Sequence, residues 1–94
     1  MRVKWLRTAR ANVDTEARYI ARDNPSAAAR VVVSITEAVE RLSQYPGLGR
    51  PGRVIGTREL VVPDTSYIIP YRVRGNTLEV LRVFHAARRW PTQF

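Results

Sequence analysis

Residues 67–74, YIIPYRVR, and residues 78–85, LEVLRVFH, flank a Gly75-Asn76 turn. A third stretch of similar character, residues 58–62 (RELVV), ends at Pro63-Asp64. Short apolar runs separated by turn residues are typical of consecutive strands, so the second half of the chain predicts a three-stranded meander. Because proline cannot donate a hydrogen bond to a sheet, we expect a bulge or local break at Pro70.

The first half of the chain predicts one short strand and two helices. Residues 2–6 alternate weakly, and apolar residues then recur at helical spacing from Thr8, the expected N-cap, to about Arg22. Asn24-Pro25 supplies a capping side chain and a proline suited to the first position of a second helix, which runs to about Ser43. So short a connection predicts an antiparallel helical hairpin.

The element order β-α-α-β-β-β predicts an α+β fold, in which the helical hairpin packs on one face of a twisted, mainly antiparallel sheet. The 94 residues suit one domain, 1–94. We expect the opposite sheet face to be open to a partner. Residues 46–57 are rich in glycine and proline and indicate a loop. That loop lacks the Lys-Ser/Thr ending of a P-loop, which argues against nucleotide binding.

Composition excludes several classes of protein. The chain has no cysteine and a single histidine, so we expect no disulfide, no metal site and no cofactor. Its apolar runs fall short of the ~20 residues that span a bilayer, so we expect no membrane partner. The N-terminus lacks the apolar core of a secretory signal, and a cytoplasmic location is expected.

Positive charge is the strongest compositional signal. The formal net charge is +8, and every basic residue except Lys4 is arginine. Residues 45–94 hold eight arginines against the three acids Glu59, Asp64 and Glu79. Arginine makes planar, bidentate contacts with carboxylates and phosphates. The chain therefore predicts an anionic partner, with an ordinary solvated surface as the alternative.

Five stretches, taken in order, resemble the RelE/ParE superfamily of bacterial type II toxins. They are residues 19–25 (YIARDNP), 48–52 (LGRPG), 58–63 (RELVVP), 67–73 (YIIPYRV) and 81–89 (LRVFHAARR). The likeness covers nearly the whole chain. It implies a small basic toxin made with an acidic antitoxin, whose disordered C-terminal segment folds on the toxin. We expect Arg58, Arg72 and Arg82, on neighbouring predicted strands, to bind antitoxin carboxylates, the alternative being cross-strand pairing with acids of this chain.

Within the superfamily, RelE-type members cut mRNA on the ribosome and ParE-type members inhibit DNA gyrase. RNA cleavage needs a general base, a general acid and cations for the phosphate. The position after the first tyrosine of the third strand, often arginine in RelE-like nucleases, is Ile68 here, and residues 59–66 contain no basic residue. The ending from Val83 to Arg89 is more similar to ParE-type endings. These features favour a ParE-like gyrase inhibitor without an enzymatic activity of its own.

The alternative is a RelE-like ribosome-dependent endoribonuclease. Its candidate catalytic residues are His85 as acid or base, Arg82 or Arg88 as phosphate clamp and Tyr71 as a proton donor. A structural hydrogen bond at the end of a strand is the competing role for His85.

The chain closes on basic and aromatic residues. Arg88, Arg89 and Trp90 make a candidate contact patch for the target, whether gyrase or, in the alternative, the ribosome and mRNA. A tail packed against the helices, with Trp90 in the core, remains open as the other reading.

Overall fold

The computed structural model describes residues 1–87 and contains two helices and six strands within them. In chain order these are β1 (Arg2–Trp5), α1 (Arg7–Ala21), α2 (Pro25–Gln44), β2 (Arg50–Pro51), β3 (Arg58–Val61), β4 (Tyr67–Arg74), β5 (Thr77–Val80) and β6 (Phe84–His85). The predicted fold class is confirmed, because two helices pack on one face of a mostly antiparallel sheet. Two details differ from the sequence prediction. The short strand β2 lies in the expected loop, and the last predicted strand is divided into β5 and β6.

The sheet has the strand order β1-β5-β4-β3-β2, with β6 also paired to β4. β1 and β5 run parallel, and every other pairing is antiparallel. The long strand β4 is the centre of this arrangement. It pairs with β3 along one side and with β5 and then β6 along the other.

The hydrophobic core lies between the helices and one face of the sheet. Successive side chains of a strand point to opposite faces, so Tyr67, Ile69 and Tyr71 of β4 all point toward the helices. Facing them are buried residues of the helices: Ala9 of α1 and Ile35, Ala38, Val39 and Leu42 of α2. The alternate strand positions must therefore lie on the opposite, helix-free face.

The two helix starts differ in how they are capped. The start of α1 corrects the prediction for Thr8, because the N-cap is Leu6 and no side chain caps the helix. The Leu6 N–H donates to Val80 O, so the chain passes directly from the sheet into the helix. The start of α2 agrees with the prediction. Asn24 Oδ1 accepts a hydrogen bond of 3.0 Å from the Ala27 N–H, and Pro25 is the first helical residue.

Pro70 does not interrupt β4, and the expected break lies in the neighbouring chain segment. β5 ends at Val80 and β6 begins at Phe84, so the irregular residues 81–83 face Pro70. The Pro70 carbonyl accepts from the Leu81 N–H at 3.0 Å. The N–H and C=O of one residue in a strand point to the same side, so the donor that proline lacks would have faced this irregular segment.

Candidate functional site

The helix-free side of the sheet carries a concentration of positive charge. The register places Lys4, Glu79 and Arg72 side by side across β1, β5 and β4, and Arg2 and Arg74 on the next row. Glu59 of β3 lies on the same side, opposite Arg50 of β2. We call this surface the basic face and define it by six cations and two carboxylates: Arg2, Lys4, Arg50, Arg53, Arg72 and Arg74, with Glu59 and Glu79.

Glu79 holds two arginines at one end of β4. Its Oε1 accepts from Arg72 Nε at 2.6 Å and lies 3.7 Å from Arg74 Nε. The hydrogen bond from Arg72 lowers the pKa of Glu79 below its ordinary value of 4.5, burial opposes this, and the charges of Arg72, Arg74 and Lys4 reinforce it. The carboxylate is therefore charged at neutral pH, hydrogen-bonds Arg72 and forms a longer ion pair with Arg74.

Glu59 likewise pairs with two arginines, Arg50 in β2 and Arg53 in the loop that follows it. Its Oε2 accepts from the Arg53 backbone N–H at 2.8 Å, and its Oε1 lies 3.4 Å from Arg50 Nη2 and 3.8 Å from Arg53 Nε. The Glu59 side chain is buried, and burial of a carboxylate is tolerated only when such donors surround it. Glu59 consequently shapes the loop and positions its arginines.

The paired arginines remain accessible. The side chains of Arg50, Arg53, Arg72 and Arg74 are 55%, 49%, 30% and 65% exposed, although each contacts a glutamate. Six cations and two carboxylates leave the basic face with a net charge of +4. Toward the other end of β4, Ile68 and Leu81 are buried, whereas Val61, in register with Ile68, is exposed.

The three arginines expected to bind antitoxin carboxylates do not share one surface. Arg72 lies on the basic face. Arg58 pairs in register with Tyr71, a residue of the helix side, and its Nη1 donates to Gly49 O at 2.7 Å. Arg82 lies in the irregular segment between β5 and β6 and donates to Leu81 O at 2.8 Å. Antitoxin binding by these residues stays a prediction.

Tyr71 is buried and its hydroxyl holds the loop after α2. The O–H donates to Pro46 O at 2.6 Å and accepts from the Gly49 N–H at 2.9 Å. Burial raises the pKa of Tyr71 above 10.0, although the Gly49 hydrogen bond and the charge of Arg58 lower it in part. A Cβ at position 49 would lie 2.5 Å from the Tyr71 hydroxyl oxygen, which explains the glycine there.

His85 lies at the other end of β4, in a cleft of about 530 Å³ lined also by Glu16, Tyr67 and Ser66. Its ring meets the Tyr67 ring edge-on with centroids 5.6 Å apart, and its Nδ1 accepts from the Ala87 N–H at 3.2 Å. The Tyr67 hydroxyl donates to Glu16 Oε1 at 3.0 Å. An imidazole, a phenol and a buried carboxylate are thus neighbours on the helix side of the sheet.

The geometry separates the candidate catalytic residues His85 and Tyr71. His85 pairs in register with Tyr67, and four residues of extended strand place Tyr71 about 13 Å further along β4. The Tyr71 hydroxyl is moreover occupied by Pro46 and Gly49. The polar neighbours of His85 are therefore Tyr67 and Glu16 rather than Tyr71.

Arg88, Arg89 and Trp90, the candidate target contacts, lie outside the described residues. Within residues 1–87, no three histidine or acidic side chains gather closely enough to hold a metal ion. None of the helices in this part of the chain is long and apolar enough to cross a membrane.

Arg2, Lys4, Arg74 and Glu16 were not singled out from the sequence as site residues. The alternation along the predicted strands places Arg72, Arg74 and Glu79 on one face and is a usable signal. The pairing of β1 with β5, which adds Arg2 and Lys4, carries no local signal, because it joins residues far apart in the chain. The contact of Glu16 with Tyr67 spans 51 positions and likewise has no local signature.

Comparison with known proteins agrees with this architecture. Residues 3–90 match the family model described as ParE toxin of type II toxin-antitoxin system, parDE. Y4kP of Sinorhizobium fredii is 49% identical over 90 residues, which cover 96% of this chain and 93% of that protein. Toxin RelE2 of Caulobacter vibrioides is 33% identical over 86 residues, covering 92% and 96% of the two chains.

A solved structure gives the same result. A chain of the chromosomal ParDE toxin-antitoxin system from P. aeruginosa superposes with a TM-score of 0.81 at 34% identity, covering 90% of this chain and 95% of the other. The fold and these relatives define the class, a toxin of the RelE/ParE superfamily. Within that class, the chain belongs to the ParE toxin family of type II toxin-antitoxin systems.

Proposed function

We propose that this chain arrests growth by inhibiting DNA gyrase and that a cognate acidic antitoxin neutralises it. The observation that carries the proposal is the basic face, a set of accessible arginines paired with Glu59 and Glu79. A surface that keeps a net charge of +4 favours an anionic partner. Antitoxin carboxylates would compete for these guanidinium groups, and covering them would block the toxin.

The side chains of the basic face favour the binding of a partner over the cleavage of RNA. Within residues 1–87, the potential bases on this face are Glu59 and Glu79, and arginines surround both. A carboxylate whose pKa is lowered, as that of Glu79 is, makes a weaker general base. His85 projects from the opposite side of the sheet, in register with Tyr67. These features support an inhibitor that acts through contacts.

A ribosome-dependent endoribonuclease is the second candidate, and one observation favours it. His85, Tyr67 and Glu16 line one cleft of about 530 Å³, which is roomy enough for a nucleotide-sized group. The name of Toxin RelE2, a relative at 33% identity, is consistent with this alternative.

Two assays on the purified toxin distinguish the candidates. We expect inhibition of gyrase supercoiling of plasmid DNA and no cleavage of mRNA during translation in vitro. In cells, inducible expression should produce SOS induction and filamentation, whereas an endoribonuclease would arrest translation first. Premixing the toxin with its antitoxin should abolish the gyrase effect, which controls for a contaminant.

The contrary result is equally specific. Cleavage of translated mRNA that His85→Ala abolishes, with gyrase activity unchanged, would establish the nuclease and contradict our proposal. Ala86→Ser serves as the matched surface substitution, because residue 86 is exposed and next in sequence.

A further inference from the structure

We propose that the basic face binds the phosphate backbone of duplex DNA, so that the toxin engages the DNA held by gyrase as well as the enzyme. This inference rests on the proposed gyrase target, and it adds a ligand that the target protein alone does not supply. The way in which the arginines are held supports this inference. Surface arginines normally sample many rotamers, and ordering them on a ligand costs conformational entropy.

Here the fold supplies part of the ordering, most closely for Arg72, which is hydrogen-bonded to Glu79. Glu79 holds Arg72 at 2.6 Å and Arg74 at 3.7 Å, and Glu59 holds Arg50 and Arg53 at 3.4 and 3.8 Å. A guanidinium group has five N–H donors, and each of these groups remains between 30% and 65% exposed. Donors of Arg50, Arg72 and Arg74 therefore remain accessible on groups that the glutamates already orient, Arg72 most closely, an arrangement suited to phosphate oxygens.

The spacing of the cations also suits a polyanion. Arg72 and Arg74 are two residues apart on β4, which separates their Cα atoms by about 7 Å. On the far side of β5, Lys4 lies in the same row as Arg72, and Arg2 lies in the same row as Arg74. The loop that carries Ile55 lines a recess of about 350 Å³ together with Arg72 and Arg74. The cations thus lie in a strip across the sheet, with Glu79 in register between Lys4 and Arg72 and Glu59 beside Arg50.

Duplex DNA fits this strip better than a single strand. Proteins that bind single strands without sequence preference stack the bases on aromatic side chains. Among residues 1–87, the aromatic residue that β4 register places on this side of the sheet is Phe84, opposite Ile68 and away from the Arg72 end. Contacts to the backbone of a duplex need no stacking platform and read no sequence.

The test compares two double variants of equal charge. Arg50→Gln with Arg74→Gln removes two cations of the basic face and leaves each glutamate its other arginine. Arg22→Gln with Arg30→Gln removes two exposed cations at the helical hairpin instead. Circular dichroism and thermal unfolding would verify that both variants fold.

Fluorescence anisotropy with a labelled duplex of about 20 base pairs, at about 50–200 mM salt, measures binding by the full chain. We expect the basic-face variant to bind about tenfold more weakly, with the slope of log K against log salt reduced by about 2. The helical-hairpin variant should keep the wild-type slope. An equal loss in both variants would attribute binding to net charge alone and overturn the inference.

Two further outcomes would also overturn it. A single strand of the same sequence that binds more tightly would exclude duplex DNA as the preferred ligand. If the basic-face variant loses antitoxin binding and keeps its full affinity for DNA, the face is a protein-binding surface.

Gyrase inhibition separates this inference from the function on which it rests. If the wild type does not inhibit gyrase, the proposed function fails, whatever the DNA affinity. If the wild type inhibits gyrase and the basic-face variant inhibits it equally well, the proposed function stands and the DNA contact is refuted.

Discussion

Replacing Tyr71 by phenylalanine removes a single oxygen atom that makes two buried hydrogen bonds. The Tyr71 hydroxyl donates to Pro46 O at 2.6 Å and accepts from the Gly49 N–H at 2.9 Å. The ring itself is fully buried, so phenylalanine should fill the same space. The variant therefore tests the hydrogen bonds and leaves the packing of the core unchanged.

The size of the effect follows from what the two partners lose. Gly49 is buried, and leaving its N–H without an acceptor costs about 1–3 kcal/mol. Pro46 is half-buried, so water can replace part of the lost bond to its carbonyl, at a cost of about 0.5–1.5 kcal/mol. The free energy of unfolding should fall by about 1.5–4.5 kcal/mol, a large share of the roughly 5–15 kcal/mol typical of a domain.

Urea unfolding followed by circular dichroism measures this loss by linear extrapolation. Tyr45→Phe is the matched control, because Tyr45 is 64% exposed and the same atom is removed where water can replace it. We expect the control to change stability by less than about 0.5 kcal/mol. A loss for Tyr71→Phe no larger than that of the control would refute the structural role assigned to the hydroxyl. Full stability with loss of RNA cleavage would instead support a catalytic role for Tyr71.

Further predictions concern pH and local packing. Because burial raises the pKa of Tyr71 above 10.0, the folded state retains its proton more strongly, so stability should fall as the pH rises above 10.0, and Tyr71→Phe should flatten this fall in alkaline unfolding experiments. The lowered pKa of Glu79 has the opposite sign, so its contribution is present above pH 4.5 and is lost on acidification; Glu79→Gln should weaken the acid dependence in the same titration. Asn24→Ala removes the cap of α2 and should cost about 1 kcal/mol in urea unfolding, whereas Ser26→Ala, at an exposed position in the same turn, should cost less. Gly49→Ala should lower the thermal midpoint more than Gly47→Ala, because a Cβ at 49 meets the Tyr71 side chain and one at 47 meets nothing within 4 Å.

The basic face shows which part of the charge distribution the sequence could predict and which part it could not. The excess of arginine predicted an anionic partner, and the structure places several arginines on one accessible surface. Counting charges could not assign each arginine to a face of the sheet. The pairing of Arg58 with Tyr71 puts Arg58 on the opposite face from Arg72. A shift of one residue in register would exchange the two faces, so side-chain placement depends on strand pairing.

The local elements were predictable for reasons that lie within a few residues of each other. Asn24-Pro25 starts a helix because a side-chain acceptor and a fixed φ act within one turn, and Gly75-Asn76 reverses the chain because glycine tolerates the positive φ found there. Apolar periodicity was sufficient to predict the helices, the meander and the α+β class. Thr8 shows the limit of such rules, because the pairing of Leu6 with Val80 sets where α1 begins.

What the amino-acid order could not supply are the contacts between distant segments. The parallel pairing of β1 with β5 brings Lys4 beside Glu79, and the contact of Tyr67 with Glu16 brings α1 to His85. These contacts form because the helices and the sheet bury a common core, which is a property of the whole chain. Charge and periodicity determined that a small basic α+β protein would form, and tertiary packing decided which of its charges share a surface.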